Sequence, residues 1–185
     1  MRTKIYYIVM TLILSLPSSF AVAVEFGPGA KKTVRAESKA EVKSSLADTY
    51  NGPKFDLVVP VLDPGIPDDS TKWEGLGIWP ELRRAEAVFY AERIAAVLAD
   101  TGVFNTVMVV PDTAVSADLY LLGEIEKSNG EDLEIQFNFY DTTGNRIIKD
   151  YDLSGRVTAG KLASLRAKES DPYSSAYLAL ARKIV

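Results

Sequence analysis

The chain has 185 residues, of which 47% are hydrophobic and 25% charged, with 21 basic residues, 25 acidic residues, no cysteine and no histidine. The lack of cysteine excludes disulfides, a thiolate nucleophile and cysteine-ligated metal centres. The lack of histidine excludes a Ser-His-Asp triad, an HExxH metal site and an imidazole general base. We therefore expect a protein without enzymatic activity, with no catalytic residues, no cofactor and no metal.

Residues 1–23 have the three parts of a secretory signal peptide. Arg2 and Lys4 form the positive start, an apolar stretch covers residues 5–16, and Ala-Val-Ala at 21–23 is the small-x-small pattern that precedes a cleavage point. The apolar stretch is shorter than the roughly 20 residues of a membrane-spanning helix, and an uncleaved N-terminal anchor is the alternative. We expect cleavage after Ala23 and localisation in the periplasm.

Cleavage would make the chain more acidic. It removes Arg2 and Lys4 and no acidic residue, so the net charge changes from −4 to −6. Nucleic-acid binding needs clustered lysine and arginine, so we expect no nucleic-acid partner. Residues 24–54 are rich in glycine and polar side chains and are predicted to be a flexible lead segment. Residues 55–185 are predicted to form one domain.

The first half of this domain predicts a strand, a helix and a second strand. Residues 55–62 are a nearly continuous apolar run, typical of a strand covered on both faces, and Pro60 predicts that it lies near an edge or ends early. A glycine- and proline-rich loop follows. Pro80 begins a helix that Gly102 caps, and residues 104–110 form the next strand. The expected buried positions of the helix are Val88, Ala91, Ile94, Ala95 and Leu98, with Tyr90 and Val97 at the margins.

The second half predicts three consecutive antiparallel strands and helices. Residues 118–127 alternate between apolar and polar, and Asn129-Gly130 is typical of a tight hairpin turn. The returning strand directs Leu133, Ile135, Phe137 and Phe139 inward. A further strand covers 146–153, a shorter helix is expected at 158–168, and Asp171-Pro172 begins a closing helix.

This order predicts an α+β fold in two layers. A mixed, mainly antiparallel sheet is covered by helices on one face. Strand 104–110 or strand 146–152 could lie at an edge and accept an added strand from a partner, although most sheet edges have no such role.

Three segments resemble the small α/β domains of bacterial envelope proteins. They are Leu-Ala-Asp-Thr-Gly-Val-Phe at 98–104, the strand at 117–125 that runs from an acidic residue through apolar residues to Gly123, and Phe-Tyr-Asp-Thr-Thr-Gly at 139–144. The pattern is similar to that of TolB N-terminal domains and outer-membrane assembly factors of the curli and flagellar type, over residues 55–155. The resemblance implies a non-catalytic periplasmic module that docks onto envelope proteins. The sequence shows neither the TolB propeller nor a lipobox cysteine, so the family's partner and lipid anchor do not carry over.

The candidate binding residues are Trp73, Ile78 and Trp79 in the long loop, and Arg83 on the helix that follows. The aromatic residues could line a groove for a ligand or a partner, or form a lid packed over the end of the sheet. Arg83 is read as a solvated charge with a role at an interface.

Two groups of acidic residues could form a binding or catalytic site, or could simply be exposed to solvent. The loop residues Asp63, Asp68, Asp69 and Glu74 could bind calcium through oxygen ligands, but their spacing matches no EF-hand and favours a solvated loop. Glu124 and Glu126 share a strand face, with Glu134 expected across the hairpin. Paired carboxylates can hydrolyse glycosides, but this alternation predicts an exposed sheet face.

We therefore expect a non-enzymatic exported protein that acts by protein–protein contact at the cell envelope, with an envelope protein as its partner and no direct lipid anchor. The alternative is a periplasmic protein that binds a small ligand or a glycan through the Trp73–Trp79 loop. A deep pocket beside the two tryptophans would favour the alternative, whereas a flat apolar patch or an open sheet edge would favour docking.

Overall fold

A computed structural model of the chain describes residues 50–158, 160 and 171–185. The predicted signal peptide, nearly all of the predicted lead segment and most of the predicted helix at 158–168 lie outside the described residues.

The described chain forms one five-stranded mixed sheet with three α-helices. The elements are β1 (Asp56–Pro60), a 3₁₀ turn (Ser70–Lys72), α1 (Trp73–Leu76), α2 (Pro80–Asp100), β2 (Thr106–Val110), β3 (Leu119–Ser128), β4 (Asp132–Asp141), β5 (Arg146–Arg156) and α3 (Ser174–Ile184). The strand order is β2-β1-β3-β4-β5. Strand β1 is parallel to β2 and β3, while β3, β4 and β5 form an antiparallel meander. The predicted α+β class is confirmed.

Strand β1 lies inside the sheet. Leu57, Val58 and Val59 are completely buried, as expected for a strand covered on both faces. Strand β1 is not itself an edge strand, because it pairs with a neighbour on each side, but it is second in the sheet, beside the edge strand β2, and so lies near an edge as predicted. The prediction that it ends early is confirmed, since β1 ends at Pro60. Beyond the proline, Val61 still donates its N–H to the carbonyl of Val110 on β2.

Helices α2 and α3 cover one face of the sheet. Pro80 occupies the first turn of α2, and Gly102 follows its C-terminus with a φ of 71°. The core between the two layers is formed by Leu57, Val59, Ala87, Tyr90, Ala91, Ile94, Leu98, Leu121, Ile125, Leu133, Ile135, Phe137, Phe139, Leu153, Tyr177 and Leu180. Among the described helices, none has both the length and the apolar content required to span a bilayer.

The predicted pattern of α2 differs from the structure at two positions, Val88 and Tyr90, since Tyr90 is predicted at the margin and is buried. Ala91, Ile94, Ala95 and Leu98 are buried as expected, but Val88 is 41% exposed, and the buried position is that of its neighbour Ala87. The stripe that faces the sheet is therefore rotated by one residue at its N-terminal half. Alanine fits there because a small side chain lets the helix approach the sheet closely.

The hairpin of β3 and β4 follows the predicted alternation. The four inward positions of β4, from Leu133 to Phe139, are all buried, and Gly130 in the turn has a φ of 86°. Asn129 accepts the N–H groups of Glu131 and Asp132 through its side-chain oxygen, which closes the turn.

The connection between β2 and β3, residues 111–118, crosses the face of the sheet opposite α2. Its residue Ala117 joins a small cluster with Val58 and Val110 on that face. The hydroxyl of Tyr120 accepts the N–H of Ala117 and donates to the carbonyl of Val115. This arrangement follows from chain handedness. Right-handed crossovers in opposite directions across β1 must lie on opposite faces of the sheet.

Gly123 tests the packing of the sheet against the core. A Cβ atom at this position would collide with the ring of the buried Phe137 and would lie 2.9 Å from Cδ2 of Leu62. We predict that Gly123→Ala lowers the free energy of unfolding by about 1–3 kcal/mol, because neither neighbour can move without opening the core. Urea denaturation measures this value.

Gly75→Ala is the matched control. A Cβ atom there meets nothing within 4 Å, and Gly75 lies in α1, so its replacement should change the stability by less than about 0.5 kcal/mol. Equal effects of the two substitutions would contradict the packing described for Gly123.

Candidate functional site

The long loop holds three of the predicted binding residues, and two of them, Trp73 and Ile78, are at least half-buried. The indole N–H of the half-buried Trp73 donates to the carbonyl of Pro67 at 2.8 Å. Ile78 is 9% exposed, and Trp79 is 73% exposed where its carbonyl accepts the N–H of Arg83 at the start of α2. The loop thus directs Trp73 and Ile78 inward and leaves Trp79 on the surface.

Arg83 is buried, so its interpretation as a solvated charge is wrong. It is 3% exposed, and its guanidinium donates to the carbonyls of Ile125 and Ser128 on β3, at 3.3 and 3.4 Å. Its Nε lies 3.5 Å from the carboxylate of Glu86, which accepts the hydroxyl of Ser128 at 2.8 Å. These bonds attach the first turns of α2 to the end of β3, which is a structural role.

Tyr90 extends this network into the space between α2 and α3. Its hydroxyl lies 3.2 Å from the side-chain oxygen of Ser128, and its ring packs edge-on against Tyr173. Burial raises the pKa of Tyr90 to about 12. Burial also raises the pKa of Tyr177 on α3. Both phenols are therefore neutral at physiological pH and act as packing and hydrogen-bonding groups.

An exposed apolar stripe continues from Trp79 along α2. Leu82 is 58% exposed and Phe89 is 42% exposed, and their spacing of seven residues places them on one side of the helix. The guanidinium of Arg93 lies 4.9 Å from the centre of the Phe89 ring. Exposed apolar side chains that lie together are typical of surfaces that contact another macromolecule.

The edge formed by β2 is open and uncharged. Within the described residues, β2 pairs with β1 alone. Its sequence, Thr-Val-Met-Val-Val, contains no charge and no proline, and Met108 is 41% exposed. Edge strands in natural proteins usually carry a charge, a proline or a bulge that prevents strand addition. Strand β2 has none of these.

The edge formed by β5 differs in each respect. Its charged residues include Lys149, Asp150 and Arg156, and Asp150 has a left-handed φ of 46°. The pairing of β5 with β4 also shifts register in the same region. A charged, irregular strand offers a poor template for a further strand. Of the two edges expected from the sequence, the structure therefore favours β2.

A groove of about 400 Å³ opens on the sheet face opposite the helices, beside the ends of β1 and β2. Asp63, Asp112 and Glu124 line it together with Gln136, Asn138 and Tyr140, and no lysine or arginine is among its lining residues. Sequence reasoning did not combine these side chains. The available signal was that Asp63 and Asp112 both closely follow strands, since parallel β1 and β2 end at the same side of the sheet.

The hairpin does not bring the predicted carboxylates together. Glu124 lies opposite Gln136, and Glu134 lies opposite Lys127, whose Nζ is 3.8 Å from its carboxylate. Glu134 therefore lies across the hairpin as predicted, but its direct neighbour is Lys127 rather than Glu126. A register shift between Ile125 and Lys127 is the cause, because it displaces the pairing by one residue.

The carboxylates of the long loop cap local turns. Asp63 accepts the N–H of Gly65, and Asp69 accepts both the N–H and the hydroxyl of Thr71. In the described parts of the chain, no group of three or more acidic side chains is arranged to hold a metal ion.

Comparisons with known protein families, with curated proteins and with solved structures found no match for this chain.

The role of Arg83 is tested by its removal. We predict that Arg83→Ala destabilises the protein by about 3 kcal/mol, because it breaks a buried ion pair and leaves two carbonyls of β3 without their donor. Arg84→Ala is the matched control: Arg84 is exposed on the same helix turn, and its loss should cost less than about 0.5 kcal/mol. A thermal or urea transition that moves equally in both variants would contradict the network.

Proposed function

We propose that this protein is a non-enzymatic module of the bacterial periplasm, and that it acts in the cell envelope by binding an extended segment of a partner protein at the edge of β2. The observation that carries the proposal is the open, uncharged edge of β2, beside a second edge that is charged and irregular. The signal-peptide pattern of residues 1–23 supports the location.

The backbone of β2 determines which groups would receive the partner. The N–H of Val61, which follows β1, donates to the carbonyl of Val110 at 2.8 Å, so the backbone groups of Val110 point toward β1. Because alternate residues direct their backbone groups to opposite sides of a strand, those of Val107 and Val109 point away from β1. A partner strand would pair with these two residues, and its main chain would supply affinity while its side chains supply specificity.

The faces beside this edge suit a partner strand that is apolar on both sides. Val107 and Val109 are half-buried against the helical layer, and Met108 lies on the other face in register with Val58. An added strand would extend both apolar surfaces and remove Met108 from water. Burial of apolar area at about 25 cal/mol per Å² would add to the backbone hydrogen bonds.

Site-specific crosslinking in living cells tests the proposal. A photo-reactive phenylalanine analogue at position 108 should capture a defined envelope protein, because that side chain lies on the open edge. The same analogue at position 147 is the matched control, since Ile147 is 52% exposed on the β5 edge. We expect capture from position 108 and none from position 147.

Val107→Pro distinguishes pairing at the open edge from non-specific adhesion. Proline removes only an outward-facing N–H and is tolerated on edge strands, so the variant should fold, with an unchanged far-UV circular dichroism spectrum. It should lose the partner. Met108→Lys is a second variant that keeps the N–H and places a charge on the edge. Partner binding that survives both substitutions contradicts the proposal.

A small-ligand binder is the second candidate function. The observation that favours it is the volume of the groove on the open sheet face, which lies within the range of small-molecule sites. The ligand would then contact the sheet rather than the Trp73–Trp79 loop. Native mass spectrometry of protein purified from its host would reveal a retained small molecule, and none would be found under the docking proposal.

A further inference from the structure

The carboxylates around β1 and β2 lack cationic partners. Among the described residues, Asp56, Asp63, Asp112, Asp118 and Glu124 form no ion pair with a lysine or an arginine. The other half of the sheet is different: Asp132 pairs with Lys127 and Arg156, and Asp150 pairs with Arg146 and Lys149. Asp132 and Asp150 near β5 are thus paired with cations, whereas these five carboxylates near β1 and β2 are not.

These carboxylates are placed at both ends of the open edge. Asp56 pairs in register with Thr106, the first residue of β2, and accepts the Thr106 hydroxyl and the side-chain amide of Asn105. These bonds hold the pKa of Asp56 below its ordinary value, so the carboxylate is charged at neutral pH. Asp112 follows the last residue of β2 by two positions, and lines the groove with Asp63 and Glu124.

We propose that the segment received by β2 is a basic one: an extended, apolar strand with lysine or arginine residues at its ends. This inference rests on the proposed function and specifies the chemistry of its partner. A strand added to β2 would run about 4.8 Å from it. Lysine and arginine side chains at its ends are long enough to reach Asp112 on one side and Asp56 on the other.

The groove gives the partner chain a path beyond the edge. Asp112 forms part of its wall, and Asp63 and Glu124 lie further along it on the side of β3. Further basic residues in a segment that turns over the end of β2 would meet these carboxylates next. Since no lysine or arginine of the described residues lines the groove, the partner would not have to displace one of these.

Selection from a displayed library of short random peptides tests the inference. The purified protein is the target, and Val107→Pro is used to remove peptides that bind elsewhere. We expect the remaining peptides to combine β-branched or aromatic residues in the centre with lysine or arginine at one or both ends. Peptides with neutral or acidic ends overturn the inference but leave edge binding intact. If no peptide depends on the open edge, the proposed function itself fails.

Charge-neutral variants then measure the contribution of each carboxylate. Asp112→Asn and Asp63→Asn should each weaken the binding of a selected basic peptide by about 1.5- to 5-fold, the range of exposed ion pairs. Added NaCl should weaken it too, because salt screens exposed charges. Asp152→Asn is the matched control, since Asp152 is exposed on β5 and should leave the affinity unchanged. Equal affinities in all three variants, with no dependence on salt, overturn the inference.

Discussion

Strand β1 is parallel to both of its neighbours, and the remaining features of the fold depend on this arrangement. Two parallel pairs that share a strand need two crossovers. The first crossover contains α2 and covers one face of the sheet, and the second, residues 111–118, covers part of the other face. Because α2 must lie against β1 and β2, the first turns of this helix meet the end of β3, where Arg83 and Glu86 connect the two layers.

The same arrangement separates the two edges of the sheet. Strand β2 enters the sheet through crossovers, so it lies at an edge with one paired side, although its apolar sequence resembles that of an interior strand. Strand β5 ends a simple meander and carries the charges and the bulge that natural edges usually have. An interior-like sequence at an edge is the main reason to assign the protein's contact surface to β2.

Local patterns in the sequence predicted much of the fold. The alternation of β4 places Leu133 to Phe139 on the core side, and the span from Pro80 to Gly102 fixes α2, because each signal depends on near neighbours in the chain. Strand order was not predictable in this way. Pro60 suggested a strand near an edge, and β1 lies beside the edge strand β2, but it pairs on both sides, and Val61 resumes contact with β2 after the proline. Long-range pairing determined that outcome.

The candidate site was less predictable for the same reason. Arg83 and Arg84 have the same local sequence context, and only packing against β3 buries one of them. Trp73 begins the short helix α1 and Trp79 follows it, but only Trp73 is half-buried, with its indole N–H bonded to the carbonyl of Pro67. Asp63 and Asp112 are far apart in the chain and meet in one groove because β1 and β2 are parallel.

Backbone amide hydrogen exchange of β2 tests the central claim most directly. If the edge is open, the N–H groups of Val107 and Val109 exchange rapidly with solvent, while those of Thr106 and Met108, which point toward β1, exchange slowly. All four amides belong to one short strand, so local unfolding affects them similarly and cannot account for a large difference in their exchange rates. Equal protection of all four amides would show that the edge is already covered and would contradict the account.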